Sequence, residues 1–394
     1  MNVAFAAHAA IVATWGPRLP LLKQQAHLSQ TDLGLVLAGL AGGLFVGTRI
    51  AGWPIAWFGS RGTIRLGIPV LAATLLGVAL ATNGVLLAGA FVVNGLAAGL
   101  LDVANNAQAV AVERGYGRSL MHGFHGTWSA GMLCAGAVAV LAARLDMSLR
   151  VHFGLVAIVV AVTGLIASVG LLPGTEGIHE PEAPEPEPQR GRHRPLAGRT
   201  AILILGIVGF SSFLSEGVAA DWSAVYFYEE RGTTTSVAAV AFVAFALGMT
   251  ISRFVGDALV SRFGPVAIAR IAGVGSAAGF VLAVALPVPG AIVAFALLGL
   301  ALGPVVPVAF SAAGNTRVGR TTTALGWVVT ISYAGSIVGP VVVGAVAGLS
   351  DLRVALLVPA AFSVAIAAAA GSLRPPEDAR LDAGRWSTGS YPSA

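Results

Sequence analysis

The sequence predicts an all-α integral membrane protein whose twelve transmembrane helices form two six-helix bundles. Three observations lead to this prediction. Of the 394 residues, 56% are hydrophobic and only 10% are charged, whereas charged residues make up roughly a quarter of a typical soluble domain. Apolar runs of about 20 residues, the length that spans a bilayer, recur along the whole chain. A polar, proline-rich segment divides these runs into six plus six.

The six runs on each side of this segment set the expected domain boundaries. The first bundle, 1–172, contains runs at residues 3–20, 32–56, 64–82, 85–112, 120–142 and 151–172. The second bundle, 200–373, contains runs at 200–228, 236–259, 265–286, 290–313, 321–349 and 354–373. The chain enters the first run without the basic region or cleavage site of a signal peptide, so we expect a retained helix.

The segment between the bundles, residues 173–199, combines a Glu-Pro repeat with several arginines. Such a composition cannot bury a core, so we expect a disordered linker there and a tail of similar character at 374–394. Arginines are also concentrated in the loops on the same side as the linker, which the positive-inside rule assigns to the cytoplasm. We therefore expect a multi-pass plasma-membrane protein with both termini and the linker in the cytoplasm.

A polar stripe interrupts the fourth run. At about 100° per residue, Asp102, Asn106 and Glu113 fall on one helical face. Asn105 lies beside that face, and Gln108 turns away from it. A carboxylate in hydrocarbon costs ~2.5–3.5 kcal/mol on insertion scales, so a helix that keeps one usually turns it toward protein or water. The stripe predicts a polar pathway; the alternative is hydrogen bonding that only joins helices.

The seventh run carries two carboxylates. Ser212, Glu216 and Ser223 share one face, and Asp221 lies about 140° away from Glu216. Glu216 is near the middle of its run, and no arginine is obvious in the sequence at that depth. An unpaired carboxyl there can take up and release a proton, which predicts a proton site; the alternative is an ion pair with an arginine of another helix. Asp221 is nearer the outer surface, which favours a gate or a helix-end hydrogen bond.

Histidines open the fifth run, where His122, His125 and Ser129 share a face. Two histidines could bind a metal, but no third ligand is near in sequence. The pattern therefore favours a hydrogen bond from one histidine to Glu113 or to the polar stripe.

Aromatic and basic side chains supply further candidates. His8 and Trp15 share a face of the first run, and Trp327 and Tyr333 lie on the eleventh. These rings could stack on a sugar, or they could face lipid or the core.

Arg18 and Lys23 follow the first run on the predicted outer side. They could attract an anionic substrate or bind lipid headgroups, and headgroups are favoured for Lys23.

The two halves share a motif at the end of the second and eighth runs. The first copy is Arg49 followed by Trp57-Phe-Gly-Ser-Arg61, and the second is Arg253-Phe-Val-Gly-Asp257 followed by Arg262-Phe-Gly264. The copies differ by a one-residue slip. Matching loops at matching places predict duplicated halves around a central axis.

Twelve helices in two halves, a long central loop and this Gly/Arg-rich motif resemble the major facilitator superfamily over nearly the whole chain. The resemblance implies a substrate site near the midplane between two bundles that rock against each other. The acidic residue of the family's first loop motif falls at Ala56 here. We therefore expect gating to involve Asp257 of the second half, together with Arg253, Asp221 and Arg61.

The stretch Gly99-Leu-Leu-Asp-Val-Ala-Asn-Asn resembles the helix-4 motif of the fucose permease branch, in which a carboxylate precedes Ala-x-Asn. The resemblance implies that Asp102 takes part in sugar binding and proton coupling, with Asn106 beside it. The branch's second acid, in its first helix, falls at Gly16-Pro17 here. Asp102 and Glu216 are therefore the two candidates for proton coupling.

These features predict a secondary active transporter that takes up a small polar, sugar-like solute with protons. The alternatives are efflux of a metabolite or drug by proton antiport and, in another class, a membrane receptor without transport. The receptor predicts an altered or missing carboxylate pair, whereas both candidate carboxylates are present. The expected substrate-binding residues are Asp102, Asn105, Asn106, His8, Trp15, His125, Ser129, Ser212, Trp327 and Tyr333.

The same reasoning limits the other partners. The net charge of +5 arises in short loops and does not indicate nucleic-acid binding. The sequence has no glycine-rich phosphate loop, nucleophile elbow or cysteine–histidine metal spacing, so we expect no enzyme, no cofactor and no metal. The single cysteine, Cys134, excludes an intrachain disulfide. The expected partners are the bilayer, protons and a small-molecule substrate, and the expected state is a monomer.

Overall fold

A computed structural model describes residues 1–116, 120–173, 195–314 and 321–374, and in these ranges the protein consists of helices and short connections. Eleven helical segments in the described ranges are long and apolar enough to cross a membrane. Residues 174–194 of the predicted linker and 375–394 of the predicted tail lie outside the described residues. The linker prediction was wrong for residues 195–199, which form the start of a helix. The chain is therefore an all-helical, multi-pass membrane protein.

The N-terminal part, residues 1–173, contains seven helices and one 3₁₀ turn, Gly16–Arg18. The helices are α1 (Asn2–Thr14), α2 (Leu19–Gln25), α3 (Gln30–Ile50), α4 (Gly52–Leu80), α5 (Gly84–Tyr116), α6 (Met121–Arg144) and α7 (Leu149–Ser168).

The C-terminal part, residues 195–374, begins with α8 (Pro195–Val225), which continues as a π-helical turn over Tyr226–Glu230. It is followed by α9 (Thr235–Phe263), α10 (Pro265–Ala285), α11 (Val288–Leu302), α12 (Val305–Gly314), α13 (Thr321–Leu349), α14 (Leu352–Ala355) and α15 (Leu357–Ala369). A 3₁₀ turn at Ala370–Leu373 ends the described chain.

The first apolar run is not one helix, as the sequence predicts, but is broken between α1 and α2. The break contains Pro17, which has no backbone N–H to continue the helical hydrogen bonds. The 3₁₀ turn is closed instead by the Arg18 N–H, which donates to the Trp15 carbonyl at 2.9 Å. Gly16 lies against α9, where an added Cβ would be 3.2 Å from the Phe242 ring. The break therefore fits the first run closely against the C-terminal part.

The repeated motif has the same backbone device in both parts. Gly59, which kinks α4, has φ 67°, and Gly264, which separates α9 from α10, has φ 79°. Glycine adopts this left-handed conformation without a steric penalty. The second run, expected at 32–56, is also divided, because α3 ends at Ile50 and α4 begins at Gly52.

Small residues allow close packing of equivalent helices in both parts. The α3–α5 contact in the N-terminal part has its counterpart in the α9–α11 contact of the C-terminal part. At the glycines in these contacts, an added Cβ would be closer than 3.0 Å to the facing backbone. This is the small-residue packing typical of membrane helices. These glycines are Gly43, Gly47, Gly95, Gly99, Gly248 and Gly299.

Candidate functional site

The two parts meet along several contacts. Helix α3 packs against α13, α6 packs against α9, the turn at Gly16–Arg18 packs against α8 and α9, and α2 packs against α8. We name the two ends of the molecule by residues that lie there, the Met1 end and the Glu229 end. Charged side chains of otherwise apolar helices lie at or beside the seam between the parts, and they include Arg49, Asp102, Glu216 and Arg253.

Asp102 on α5 is partly buried and faces groups from both parts. The Asn106 amide donates to the Asp102 backbone carbonyl at 2.9 Å and lies 3.4 Å from its carboxylate Oδ1. The carboxylate also interacts electrostatically with His8 of α1 and with Tyr333 of α13. His8 is only 4% exposed, and its Nδ1 has no hydrogen-bond partner. The structure therefore brings four of the predicted binding residues into one neighbourhood.

Arg49 of α3 also lies near Tyr333. Its Nη2 donates to Thr330 Oγ1 on α13 at 2.7 Å, so it crosses from the N-terminal to the C-terminal part. Its guanidinium also lies 4.8 Å from the centre of the Phe45 ring. Arg49 is not among the site residues predicted from the sequence. Its place in the repeated motif, equivalent to that of Arg253, could have identified it as one.

Aromatic rings surround these charges. The Tyr333 ring lies 5.1 Å from Phe213 of α8 and 6.3 Å from Phe45 of α3. Phe213 in turn lies 6.4 Å from Phe310 of α12. Rings of this kind can pack on the apolar face of a ligand while the charged groups bind its polar atoms.

Glu216 is not the unpaired carboxyl that the sequence analysis expects. Its Oε1 lies 3.2 Å from Nη2 of Arg253 on α9, and the two side chains are 28% and 33% exposed. The guanidinium of Arg253 also lies 5.5 Å from the Trp128 ring of α6, in the other part. The expectation was wrong because Arg253 is 37 residues away in sequence and only the packing of α8 on α9 places it there.

Several other predicted residues lie away from this cluster. Trp15 is 5% exposed and packs against Phe91 of α5, with ring centres 5.1 Å apart. Asn105 is fully buried, and neither of its amide atoms has a hydrogen-bond partner. Gln108 turns away from the stripe as predicted, since it accepts from Ser60 and donates to the Leu172 carbonyl at 3.1 Å.

The start of α6 is held by Glu113 at the Met1 end. Its Oε2 accepts from the backbone N–H groups of Leu120 and Met121 at 2.7 and 2.9 Å. His125 is exposed, and its ring lies 5.5 Å from that of Phe5. Ser129 is 2% exposed with an unbonded hydroxyl. The side chain of His122 lies outside the described residues.

The remaining candidates on α8 and α13 have different surroundings. Ser212 is fully buried with an unbonded hydroxyl, and the Ser223 hydroxyl donates to the Ala220 carbonyl at 3.4 Å. Trp327 is 60% exposed. Asp221 is partly buried and makes no helix-end hydrogen bond.

The predicted gating residues at the Met1 end include Arg61 and Asp257. Arg61 donates to the Val169 carbonyl at 3.2 Å, and Asp257 is exposed.

Arg18 and Lys23 do not have the roles that the sequence analysis weighed. Arg18 is only 2% exposed and donates to the Met147 carbonyl, so it can reach neither headgroups nor a passing anion. The ammonium of Lys23 lies 2.9 Å from the Glu229 carboxylate, an ion pair that joins the two parts. Both expectations were wrong because the break in the first run turns Arg18 inward and brings α2 over the end of α8.

Contacts between the parts close the Glu229 end. In addition to the Lys23 ion pair, Glu229 accepts from the Gln30 amide at 2.6 Å, and Gln24 donates to the Tyr228 hydroxyl at 3.1 Å. Helix α3 also touches α13 directly, because a Cβ added at Gly34 or Gly344 would collide with the facing backbone.

An apolar cluster lies beneath these polar contacts. It joins Ala13, Ala135, Phe242 and Ala246, with Ala220 packed against it. These residues come from α1, α6, α8 and α9 and therefore from both parts. Among the described residues there is no group of three or more metal-ligating side chains.

The sequence matches a known family. The sequence model of the Major Facilitator Superfamily matches residues 1–316 and 205–389. An uncharacterized MFS-type transporter of Yersinia pestis is 34% identical over 328 residues, which cover 82% of this chain and 81% of the relative. Membrane protein MosC of Rhizobium meliloti is 29% identical over 331 residues, which cover 82% and 77% of the two chains. The chain belongs to the major facilitator superfamily, whose members are transporters and not enzymes.

Solved structures of low sequence identity share the fold. A mutant of the nucleoside transporter NupG has a TM-score of 0.76 at 13% identity, covering 94% of this chain and 98% of that one. A D-xylose-proton symporter has a TM-score of 0.71 at 16% identity, covering 95% and 96%. The transporter FucP in its outward conformation has a TM-score of 0.59 at 16% identity, covering 95% and 98%. At these identities the likeness is one of fold alone.

Proposed function

We propose that this protein is a secondary active transporter that takes up a small polar, sugar-like solute together with protons. The observation that carries the proposal is the set of four charged side chains at the seam, contributed by α3 and α5 of one part and by α8 and α9 of the other. Ionisable residues at membrane depth mark substrate and proton pathways. In this family the substrate site lies between the two halves.

We assign the architecture in the same proposal. The fifteen helices of the described ranges are grouped as twelve spans in two six-helix bundles, with α1 and α2, α11 and α12, and α14 and α15 each forming one span. The Met1 end is cytoplasmic, because the arginine-rich loops lie there. The chain is a monomer in the plasma membrane, and the conformation in hand is closed toward the outside by the contacts at the Glu229 end.

The substrate is proposed to bind between Asp102, Asn106, His8 and Tyr333. The carboxylate and the amide offer acceptors and donors for hydroxyl groups, and the Tyr333 ring offers an apolar face. Asp102 lies 14 residues before the end of α5, or about 21 Å along the axis. That depth is compatible with a midplane site. The matching motif on α5, and the fold shared with a D-xylose-proton symporter and with FucP, support a sugar-like solute and membership of the fucose permease-like branch.

Proton coupling is proposed for the two carboxylates among the four charged side chains at the seam, those of Asp102 and Glu216. Glu216 is paired with Arg253, whereas the group within hydrogen-bonding distance of the Asp102 carboxylate is the Asn106 amide. Arg61, Arg253 and Asp257 are proposed to act in gating at the Met1 end.

A second candidate function is efflux of a metabolite or drug by proton antiport. The observation that favours it is the aromatic lining formed by Phe45, Phe213, Phe310 and Tyr333, which would accept a larger apolar surface than a sugar presents. The same four charged side chains at the seam would serve either direction of transport.

The test is counterflow in proteoliposomes. Vesicles are preloaded with one unlabelled member of a panel of sugars, organic acids and drugs, and entry of the same labelled compound is followed without any pH gradient. Liposomes without protein are the control. Exchange of a sugar supports uptake of a sugar-like solute, and exchange of a drug alone favours the efflux alternative. No exchange of any panel member would count against a transporter of this solute range.

A further inference from the structure

Three carboxylates lie inside the membrane helices at the seam, and they differ in their partners. Asp102 lies within 3.4 Å of the Asn106 amide, and Glu216 is paired with Arg253. Asp221, five residues beyond Glu216 on α8 and about 7.5 Å nearer the Glu229 end, has no hydrogen bond or ion pair with any described residue. Among these three acids, it alone has no group that would stabilise a negative charge.

The neighbours of Asp221 along α8 are apolar and buried or partly buried. The next residue, Trp222, is fully buried, and the preceding residue, Ala220, packs on the apolar cluster of Ala13, Ala135, Phe242 and Ala246. An unpaired carboxylate in such surroundings carries a large desolvation penalty, whereas the neutral acid does not. The protonated form is therefore the stable one in this conformation.

No charged neighbour changes this conclusion. Arg18 is bonded to Met147, Lys23 to Glu229, and Arg253 to Glu216. Helix α8 with its π-helical turn packs against the Gly16–Arg18 turn, α2, α9 and α13, and also against α11, α12 and α15, whose described residues include no charged or titratable side chain. The described charged and titratable residues of the other elements, besides Asp221, are Arg18, Lys23, Glu216, Tyr226, Tyr228, Glu229, Glu230, Arg253, Asp257, Arg262 and Tyr333.

The position of Asp221 ties its access to the state of the seam. The cluster beside it joins α1 and α6 of one part to α8 and α9 of the other, so it must come apart when the Glu229 end opens. Water would then reach the carboxyl from that end. In the closed conformation the Asp221 side chain is partly buried.

We propose that Asp221 is a proton-binding site of the transport cycle, in addition to Asp102 and Glu216. A proton from water at the opened Glu229 end forms the O–H bond on a carboxylate oxygen. Closure of the apolar cluster then traps the neutral acid, and the proton is returned to water on the other side, leaving the carboxylate. The proposal rests on the proposed proton-coupled function, and it replaces the gate or helix-end bond expected for Asp221.

The first test needs no substrate. Infrared difference spectra of the full-length protein in liposomes, recorded between about pH 6 and alkaline buffer, show the carbonyl stretch of each carboxylic acid that loses its proton in this interval, because carboxyls of ordinary pKa are already ionised at its acidic limit. Asp221→Asn should remove one such band, and Asp221→Glu should restore a shifted one. Asp146→Asn is the matched control, because Asp146 is exposed in a turn with φ 48°, a conformation that asparagine accepts. An unchanged spectrum in Asp221→Asn would overturn the proposal.

The second test separates this site from the proposed function. With whichever panel compound the wild type exchanges, Asp221→Asn should reduce accumulation driven by a pH gradient by at least about tenfold while counterflow persists. Asp221→Glu should regain accumulation, which distinguishes coupling from a folding defect. Wild-type accumulation in Asp221→Asn would sink the assignment of Asp221 alone. Failure of the wild type to exchange any compound would sink the proposed function, and the infrared result would still decide the titration of Asp221.

Discussion

The guanidinium of Arg253 lies 3.2 Å from the Glu216 carboxylate, and both side chains are only about one-third exposed. The pair joins α8 to α9 within the C-terminal part. Its cation also stacks at 5.5 Å on Trp128 of the N-terminal part. A change in the charge of Glu216 would therefore be felt by a side chain that bridges the two parts.

Replacing Glu216 by glutamine should leave Arg253 as a partly buried cation without a counter-ion. We expect Glu216→Gln to melt at a lower temperature than the wild type, and Glu216→Gln/Arg253→Gln to recover part of the loss. The coupling free energy should be of the order of 1 kcal/mol, because solvent screens a pair with this exposure. Thermal unfolding in detergent of the wild type, both single variants and the double variant measures it. Additive losses in the double variant would show that the contact contributes nothing.

Asp102→Asn keeps the shape of the side chain and removes its charge. The protein should fold and insert normally, while binding or coupled transport of the exchanged compound should fall by at least tenfold, or about 1.4 kcal/mol, the scale of one hydrogen bond to a charged group. Asn105→Ser is a useful comparison. Because Asn105 is fully buried, its replacement should affect stability more than affinity. Wild-type binding and transport in Asp102→Asn would make Asp102 a structural residue only.

The Lys23–Glu229 ion pair should hold the Glu229 end closed. Lys23→Glu places two carboxylates together and should favour opening, whereas Lys23→Glu/Glu229→Lys restores an ion pair and should favour closure again. The measurement is the labelling rate of a cysteine at Ala13, inside the apolar cluster, by a reagent supplied at the Glu229 end, with Cys134→Ser as background. Equal labelling in the single and the swapped variant would mean that the ion pair does not act as a latch.

The proposed orientation predicts where the linker lies. A cysteine introduced at Ala183, in the Cys134→Ser background, should react with an impermeant reagent only in inverted vesicles or permeabilised cells. A cysteine at Ser350, in the turn after α13 at the Glu229 end, should react in intact cells. Labelling of the Ala183 site from outside in intact cells would reverse the orientation and the direction assigned to the closed state.

The sequence was sufficient for what depends on local periodicity. Runs of apolar residues predicted most of the spans, and the helical wheel placed Asn106 one turn from Asp102, where the structure confirms their contact. The wheel also turned Gln108 away, and the structure confirms its bonds to Ser60 and Leu172. The match to the superfamily confirmed the family that the repeated loop motif indicated.

What the sequence could not supply were contacts between helices distant in the chain. The partner of Glu216 depends on which face α9 turns toward α8, and the helical wheel of one run carries no such information. The burial of Trp15 on Phe91 and the inward turn of Arg18 both follow from the break at Gly16–Arg18, whose direction is set by the packing of α8 and α9. Each of these depends on tertiary packing rather than on spacing.

The direct contact of α3 with α13 at Gly34 and Gly344 has a consequence for how easily the protein can change state. At these two positions neither helix carries a side chain, so this part of the contact can separate without drawing rotamers out of fitted holes. Elsewhere along the same two helices, Phe45 must part from Tyr333 and Arg49 from Thr330. A stretch without interlocking side chains contributes less to the free-energy difference between the closed and parted forms. A difference of a few kcal/mol is one that a bound ligand can reverse through its preference for one state. The absence of side chains at Gly34 and Gly344 thus makes it easier for a ligand to change the conformation of the protein. A larger residue at either position would push α3 and α13 apart.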